Sequence, residues 1–185
     1  MKRFCFSMGL FLAVLALLMV SCDKNDNGNG NSLAGTYVFT SATFNDTVHI
    51  TISDTEVQFL PGSDGSAFVG PGLLSSAPCD NSENAAIQLQ EDGVSNYVCL
   101  TESNVEQMGT WTVNSDQTQL SLNISNPQPF ALTITDLDIT ATTLTGTVGN
   151  FPLPIDASKE LGAMLPGSVI NYQIASVSLT FSKVD

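Results

Sequence analysis

Positive charge is almost missing from this chain: five Lys and Arg stand against 18 Asp and Glu over 185 residues. Beyond residue 21 only Lys24, Lys159 and Lys183 remain, three cations against 18 acids, a formal −15 with no Arg. Nucleic acid needs clusters of Lys and Arg to neutralise its phosphates, so nucleic-acid binding is excluded. The single His, His49, excludes His-pair zinc sites and leaves little for general acid–base chemistry. There is no Gly-x-Ser-x-Gly elbow, no His-Glu-x-x-His and no phosphate-binding glycine loop. The expectation is a protein that is not an enzyme and holds no cofactor.

Long apolar runs are scarce too, and the one present stands at the N-terminus. Met1-Lys2-Arg3 is positive, and Gly9 to Val20 is apolar for about a dozen residues. That is the core of an export signal, too short for a stable membrane span. It ends in Leu18-Met19-Val20-Ser21-Cys22, which resembles the lipobox of bacterial lipoproteins. The resemblance implies that residues 1–21 are a signal peptide and that the Cys22 thiol carries diacylglycerol. Two or three acyl chains suffice for stable anchoring, so the partner implied is the membrane, through the lipid on Cys22. Asp23 directly after Cys22 resembles the export signals of surface lipoproteins in Bacteroidetes-type bacteria. The outer membrane is therefore expected, on its periplasmic or its outer face. Cys5 falls within the discarded segment.

Residues 22–32 contain Asn, Gly, Asp and Lys but no core-forming apolar residue, and read as a flexible tether. Asp23, Asn25, Asn27 and Gly28 match the first half of a calcium loop. Its twelfth position is Ala34, however, where a bidentate Glu is required.

From residue 33 to 185 the apolar period is two. Tyr37 and Phe39, then Val48, Ile50 and Ile52, alternate with Thr, Ser and His. Further strands read at 55–60, 85–90 and 95–101, around Trp111 and Val113, and at 120–124, 130–134 and 144–148. The last strand changes parity between Ile174 and Val177, which predicts a bulge near Ala175. Turn residues such as Pro61-Gly62, Asp92-Gly93 and Asn114-Ser115-Asp116 punctuate the pattern. About ten strands at this spacing predict an all-β, antiparallel barrel, with a β-sandwich as the rival that period two cannot separate. One short helix is expected before the last strand, from Ala157 to Leu165, capped by Asp156 and ended by Pro166-Gly167.

Cys79 and Cys99 remain in an exported, oxidising setting, where a disulfide closing about 20 residues contributes about 3 kcal/mol. A two-thiolate metal site is the alternative, without a His or second Cys pair to complete it. Leu33-Ala34-Gly35-Thr36-Tyr37 and Gly109-Thr110-Trp111-Thr112-Val113 resemble the opening strand and the Gly-x-Trp strand of small lipocalin-like domains. In lipoproteins of this bacterial group a Cys pair often lies between those landmarks. The resemblance spans 33–148 and implies an up-and-down barrel of about eight strands, with a cavity for a small apolar ligand. It departs from classical lipocalins in lacking the Arg that stacks on the Trp. It carries no catalytic residues with it.

Tyr37, Phe39, Phe59, Tyr97 and Trp111 are the candidate ligand-lining residues, and packing the core is the competing account of all five. Trp111 alone is a poor glycan platform. Asp136 with Asp138, and Glu91 with Asp92, are the carboxylate pairs available for hydrolysis. In so acidic a chain solvated surface charge explains them better. Asp46-Thr47-Val48 resembles the short O-glycosylation pattern of the same bacterial group. Two function classes stay open: a barrel that captures a small apolar or amphipathic ligand, and a filled barrel that meets another, unknown, envelope protein.

Overall fold

The structure, a computed structural model, describes residues 33–125, 129–157 and 172–184, all within the compact unit Asn31–Asp185. Its strands are β1 (Gly35–Phe44), β2 (Val48–Ile52), β3 (Thr55–Phe59), β4 (Ala85–Leu89) and β5 (Val94–Cys99), then β6 (Val105–Val113), β7 (Leu120–Ile124), β8 (Phe130–Ile139), β9 (Thr143–Pro154) and β10 (Tyr172–Val184). Eight of them close an antiparallel barrel in the order β1-β10-β9-β8-β7-β6-β5-β4, while β2 and β3 form a separate hairpin. Every barrel strand lies beside its sequence neighbour except at one point. Between β1 and β4 the chain leaves the wall for residues 45–84, which hold the hairpin and the helix α1 (Ser66–Leu74). The barrel is as expected, and the sandwich is not formed.

Alternation builds the interior. Leu120 and Leu122 of β7, Leu132 and Ile134 of β8, and Val177, Leu179 and Phe181 of β10 are all buried, with Ser and Thr between them. Bulges let long strands keep one face inward while the sheet curls. On β8 the register against β9 slips between Thr135 and Asp138, with Asp136 at a positive φ of 52°. Beyond it Leu137 and Ile139 pack on the core, and Asp136 and Asp138 are exposed on the outer face.

The shift expected near Ala175 is there, between Ala175 and Val177, but the extra residue belongs to the other strand. Ala175 pairs with Phe151 and Val177 with Val148, so β9 supplies it. β10 therefore keeps its odd residues inward throughout. Tyr172 and Ile174, read from sequence as an inward continuation, are each 58% exposed. They stand opposite Pro154 and Pro152 on the outer face.

Two glycines are dictated by close approach. A Cβ on Gly109 would stand 1.9 Å from the Asn123 carbonyl oxygen, and one on Gly146 would stand 2.9 Å from that of Thr135. The Gly-Thr-Trp landmark thus has a steric reason: β7 crosses β6 where only a hydrogen fits.

Helix α1 was not legible in the sequence. Its nine residues include Gly70, Pro71 and Gly72, and Pro and Gly are the poorest helix formers. The expected helix over 157–165 lies, beyond Ala157, outside the described residues. Cys79 and Cys99 are bonded, with Cα atoms 5.4 Å apart, tying the segment after α1 to the end of β5.

Gly109→Ala is expected to cost roughly 3 kcal/mol in urea unfolding, because the obstacle is main chain and cannot rotate away. Gly149→Ala, with nothing within 4 Å of the added carbon, is the matched control and should stay within about 0.5 kcal/mol of the parent. Replacing Cys79 and Cys99 together by Ala should lower stability by about 3 kcal/mol, read from the same curves.

Candidate functional site

The barrel interior is where a ligand would sit, and its two halves are occupied differently. The half nearer the N-terminal end of β1 is lined by Tyr37, Ile87, Leu89, Leu122, Ile134 and Phe181 among others. The space they leave is ≈ 20 Å³. That is room for about one water molecule, against the several hundred Å³ that a drug-sized ligand requires. The Ser95 hydroxyl, on the residue paired with Leu89, is fully buried and has no hydrogen-bond partner among the described residues.

The other half is filled by α1. Val69 and Leu73 are buried in the core cluster. The Tyr97 hydroxyl, on β5, donates to the Leu73 carbonyl at 3.2 Å. A Cβ on Gly70 would stand 3.0 Å from the Phe39 ring, and one on Gly72 3.3 Å from the Phe151 ring. The two glycines that weaken this helix are therefore the ones that let it seat against β1 and β9.

Asp64 prepares the helix start. Its carboxylate accepts from the Ser66 hydroxyl and from the Ser66 amide at 2.9 Å, and these bonds hold it below the usual carboxylate range. The Ser66 hydroxyl oxygen in turn accepts from the Ala42 amide at 3.0 Å, fixing the helix to β1. The Asp64-Gly65-Ser66 triplet was the available sequence signal, but it reads equally as a turn.

Each of the five aromatic candidates already has a protein partner. Tyr37 donates to the Leu33 carbonyl at 2.9 Å and lies under the Lys183 ammonium, 5.7 Å from the ring centroid. Phe39 meets Phe181 edge-on at 5.9 Å. Trp111 donates from Nε1 to the Gln90 carbonyl at 2.8 Å and pins the β4–β5 turn to β6. Phe59 lies on β3, outside the barrel wall, in a ring cluster with Phe44 at 5.7 Å and Phe68 at 5.3 Å. The interior thus brings together Tyr37, Phe39 and Tyr97, places Trp111 half-buried at one end, and leaves Phe59 on the hairpin, packed against the margin of the core through Phe44 and Phe68.

Cys22 lies outside the described residues. His49 is exposed on β2 and hydrogen-bonds Glu56 through Nδ1 at 3.1 Å, as its place on the polar face implied. Among the described residues no group of three His, Cys, Asp or Glu side chains converges on a point. Also among them, no helix is long and apolar enough to cross a membrane. Comparison with protein-family models, with curated proteins and with solved structures finds no match.

Burial, and secondly Glu106, push the Tyr97 hydroxyl up to about 12, and burial also raises Tyr37. A raised folded pKa means that the folded state holds its proton longer than the unfolded chain does. The linked stability is complete below pH 10 and is lost as the pH climbs toward 12. Tyr97→Phe should cost about 1 kcal/mol at pH 7, for the hydrogen bond to Leu73. It should also shrink the further loss on going to pH 11, the remainder belonging to Tyr37. Urea midpoints at both pH values check this, and an undiminished alkaline loss in the variant would refute the assignment.

Proposed function

We propose that this chain is a lipid-anchored, non-enzymatic cell-envelope protein of the lipocalin-like lipoprotein kind, held to the outer membrane through Cys22. Its barrel is a filled scaffold whose acidic outside meets another envelope component. The observation that carries this reading is the packing among the described residues: α1 packs against Phe39, Phe151 and Tyr97, and the pocket lined by Tyr37, Leu122 and Phe181 holds only ≈ 20 Å³. A container needs polar groups aimed into a free space. Here the Tyr37 and Tyr97 hydroxyls are used by the protein's own carbonyls. The anchor is supported by the Leu18–Cys22 pattern and by the tether that follows it.

Capture of a small apolar ligand is the second reading, and one feature favours it. Gly70-Pro71-Gly72 gives α1 little intrinsic helix stability, so the helix depends on its packing and is the part of the filling most easily displaced.

One experiment separates the two. Full-length protein, expressed in a bacterial envelope and extracted in detergent, is weighed by mass spectrometry under native and denaturing conditions. The expected denatured mass is that of residues 22–185 plus acyl chains, two hydrogens light for the disulfide, with no further mass lost on denaturation. A ligand-sized loss would overturn the filled-barrel reading in favour of capture. An unacylated Cys22 would overturn the anchor.

A further inference from the structure

We infer that the outer edge of β3 is a docking edge, on which an extended, cationic segment of a partner protein adds as a further strand. This rests on the interaction reading of the barrel, and it names where and by what chemistry the partner is met.

The hydrogen-bond sense of the hairpin carries the inference. On β2 the His49 carbonyl accepts from Gln173 Nε2, and the Thr51 amide donates to the Ile155 carbonyl at 2.7 Å. At these two residues the main chain of β2 is therefore turned away from β3. In an antiparallel pair, residues directly opposite share that sense. His49 is opposite Gln58, and Thr51 is opposite Glu56. The N–H and C=O groups of Glu56 and Gln58 thus point outward from the hairpin, and among the described residues none of them has a partner. Both residues are exposed. An edge with free groups at alternate residues is the geometry that strand addition uses.

The edge is also held in place. Val48 and Ile50 are buried, and Phe59 is locked among Phe44 and Phe68. The Ser53-Asp54 turn, with both residues at positive φ, sets the register.

Charge selects the occupant. The Glu56 side chain is 71% exposed beside the edge, with Asp54 at the adjacent turn. A second copy of the chain would bring the same acidic edge and the same excess of acids, and like charge on an edge strand suppresses self-pairing. A strand with Lys or Arg on the Glu56 side and aliphatic residues on the half-buried Val57 and Phe59 side meets both faces.

The test uses the full-length protein and a fluorescent Lys-Val-Lys-Val-Lys-Val peptide as probe, read by anisotropy. The Gln58→Pro variant removes one outward N–H that β2 does not use, and proline is tolerated at such edge positions. It should melt where the parent does and bind the probe at least tenfold more weakly. Glu56→Lys should reverse the preference toward a Glu-Val-Glu-Val-Glu-Val peptide. A probe N-methylated at alternate residues should bind tenfold more weakly to the parent, which keeps the test intact even if Gln58→Pro fails to fold. The inference is overturned by no binding of the lysine probe, by binding indifferent to Gln58→Pro, or by equal binding of the methylated probe. A concentration-dependent dimer that Gln58→Pro abolishes would also overturn it, since the occupant would then be a second copy. A ligand found in the barrel by native mass spectrometry overturns the scaffold reading and leaves these binding results standing.

Discussion

The whole arrangement turns on how β1 satisfies its two edges. Along one edge β1 pairs with β10 over nearly its full length. Along the other it pairs with β4 only at Gly35, Thr36 and Tyr37. Buried amides and carbonyls must be bonded to something, and past that point the returning chain takes over. The Phe44 amide donates to the Ser63 carbonyl, the Gly62 amide to that of Phe44, and the Gly65 amide to that of Ala42. The wall is closed by a strand at one end and by a loop at the other.

That divided seam explains the interior. Because residues 62–65 lie along β1, the chain re-enters at the barrel end, and Ser66 starts α1 there. A helix with Gly-Pro-Gly at its centre does not stand alone in water. Phe39, Phe151 and Tyr97 hold it, and its own glycines permit the approach. The Cys79–Cys99 bond then fixes the exit, returning the chain to the wall as β4. Trp111 does the corresponding work at the opposite end, tying the β4–β5 turn to β6 through the Gln90 carbonyl.

The outside follows a separate logic. Ser, Thr and Asn cover the strands, and acids far outnumber cations, so electrostatics contributes solubility and choice of partner more than cohesion. The hairpin forms a two-stranded sheet of its own outside the barrel wall. It is anchored by one face and open along one edge, a position from which a partner can be met without disturbing the core.

Much was readable from residues alone. Alternation of apolar and hydroxyl side chains is a local property with a period of two, so strand positions, the antiparallel class and the approximate strand number were legible. So was the pairing of Cys79 with Cys99, the two cysteines that fall within the strand-forming part of the chain. What remained hidden depends on residues distant in sequence. Period two does not separate barrel from sandwich, because closure is a matter of which strands end up as neighbours. Nor does it say which strand carries an extra residue, which is why Tyr172 and Ile174 read as inward and stand outward. Phe59 and Tyr97 look alike as alternating aromatics, yet one sits on the hairpin at the margin of the core and the other holds the filling helix. That helix has no local signature, since its stability comes from the walls around it. The sequence by itself determined the strands and the chemistry of their two faces. The tertiary structure alone decided what fills the barrel, because that depends on where β1 runs out of β4 to bond with.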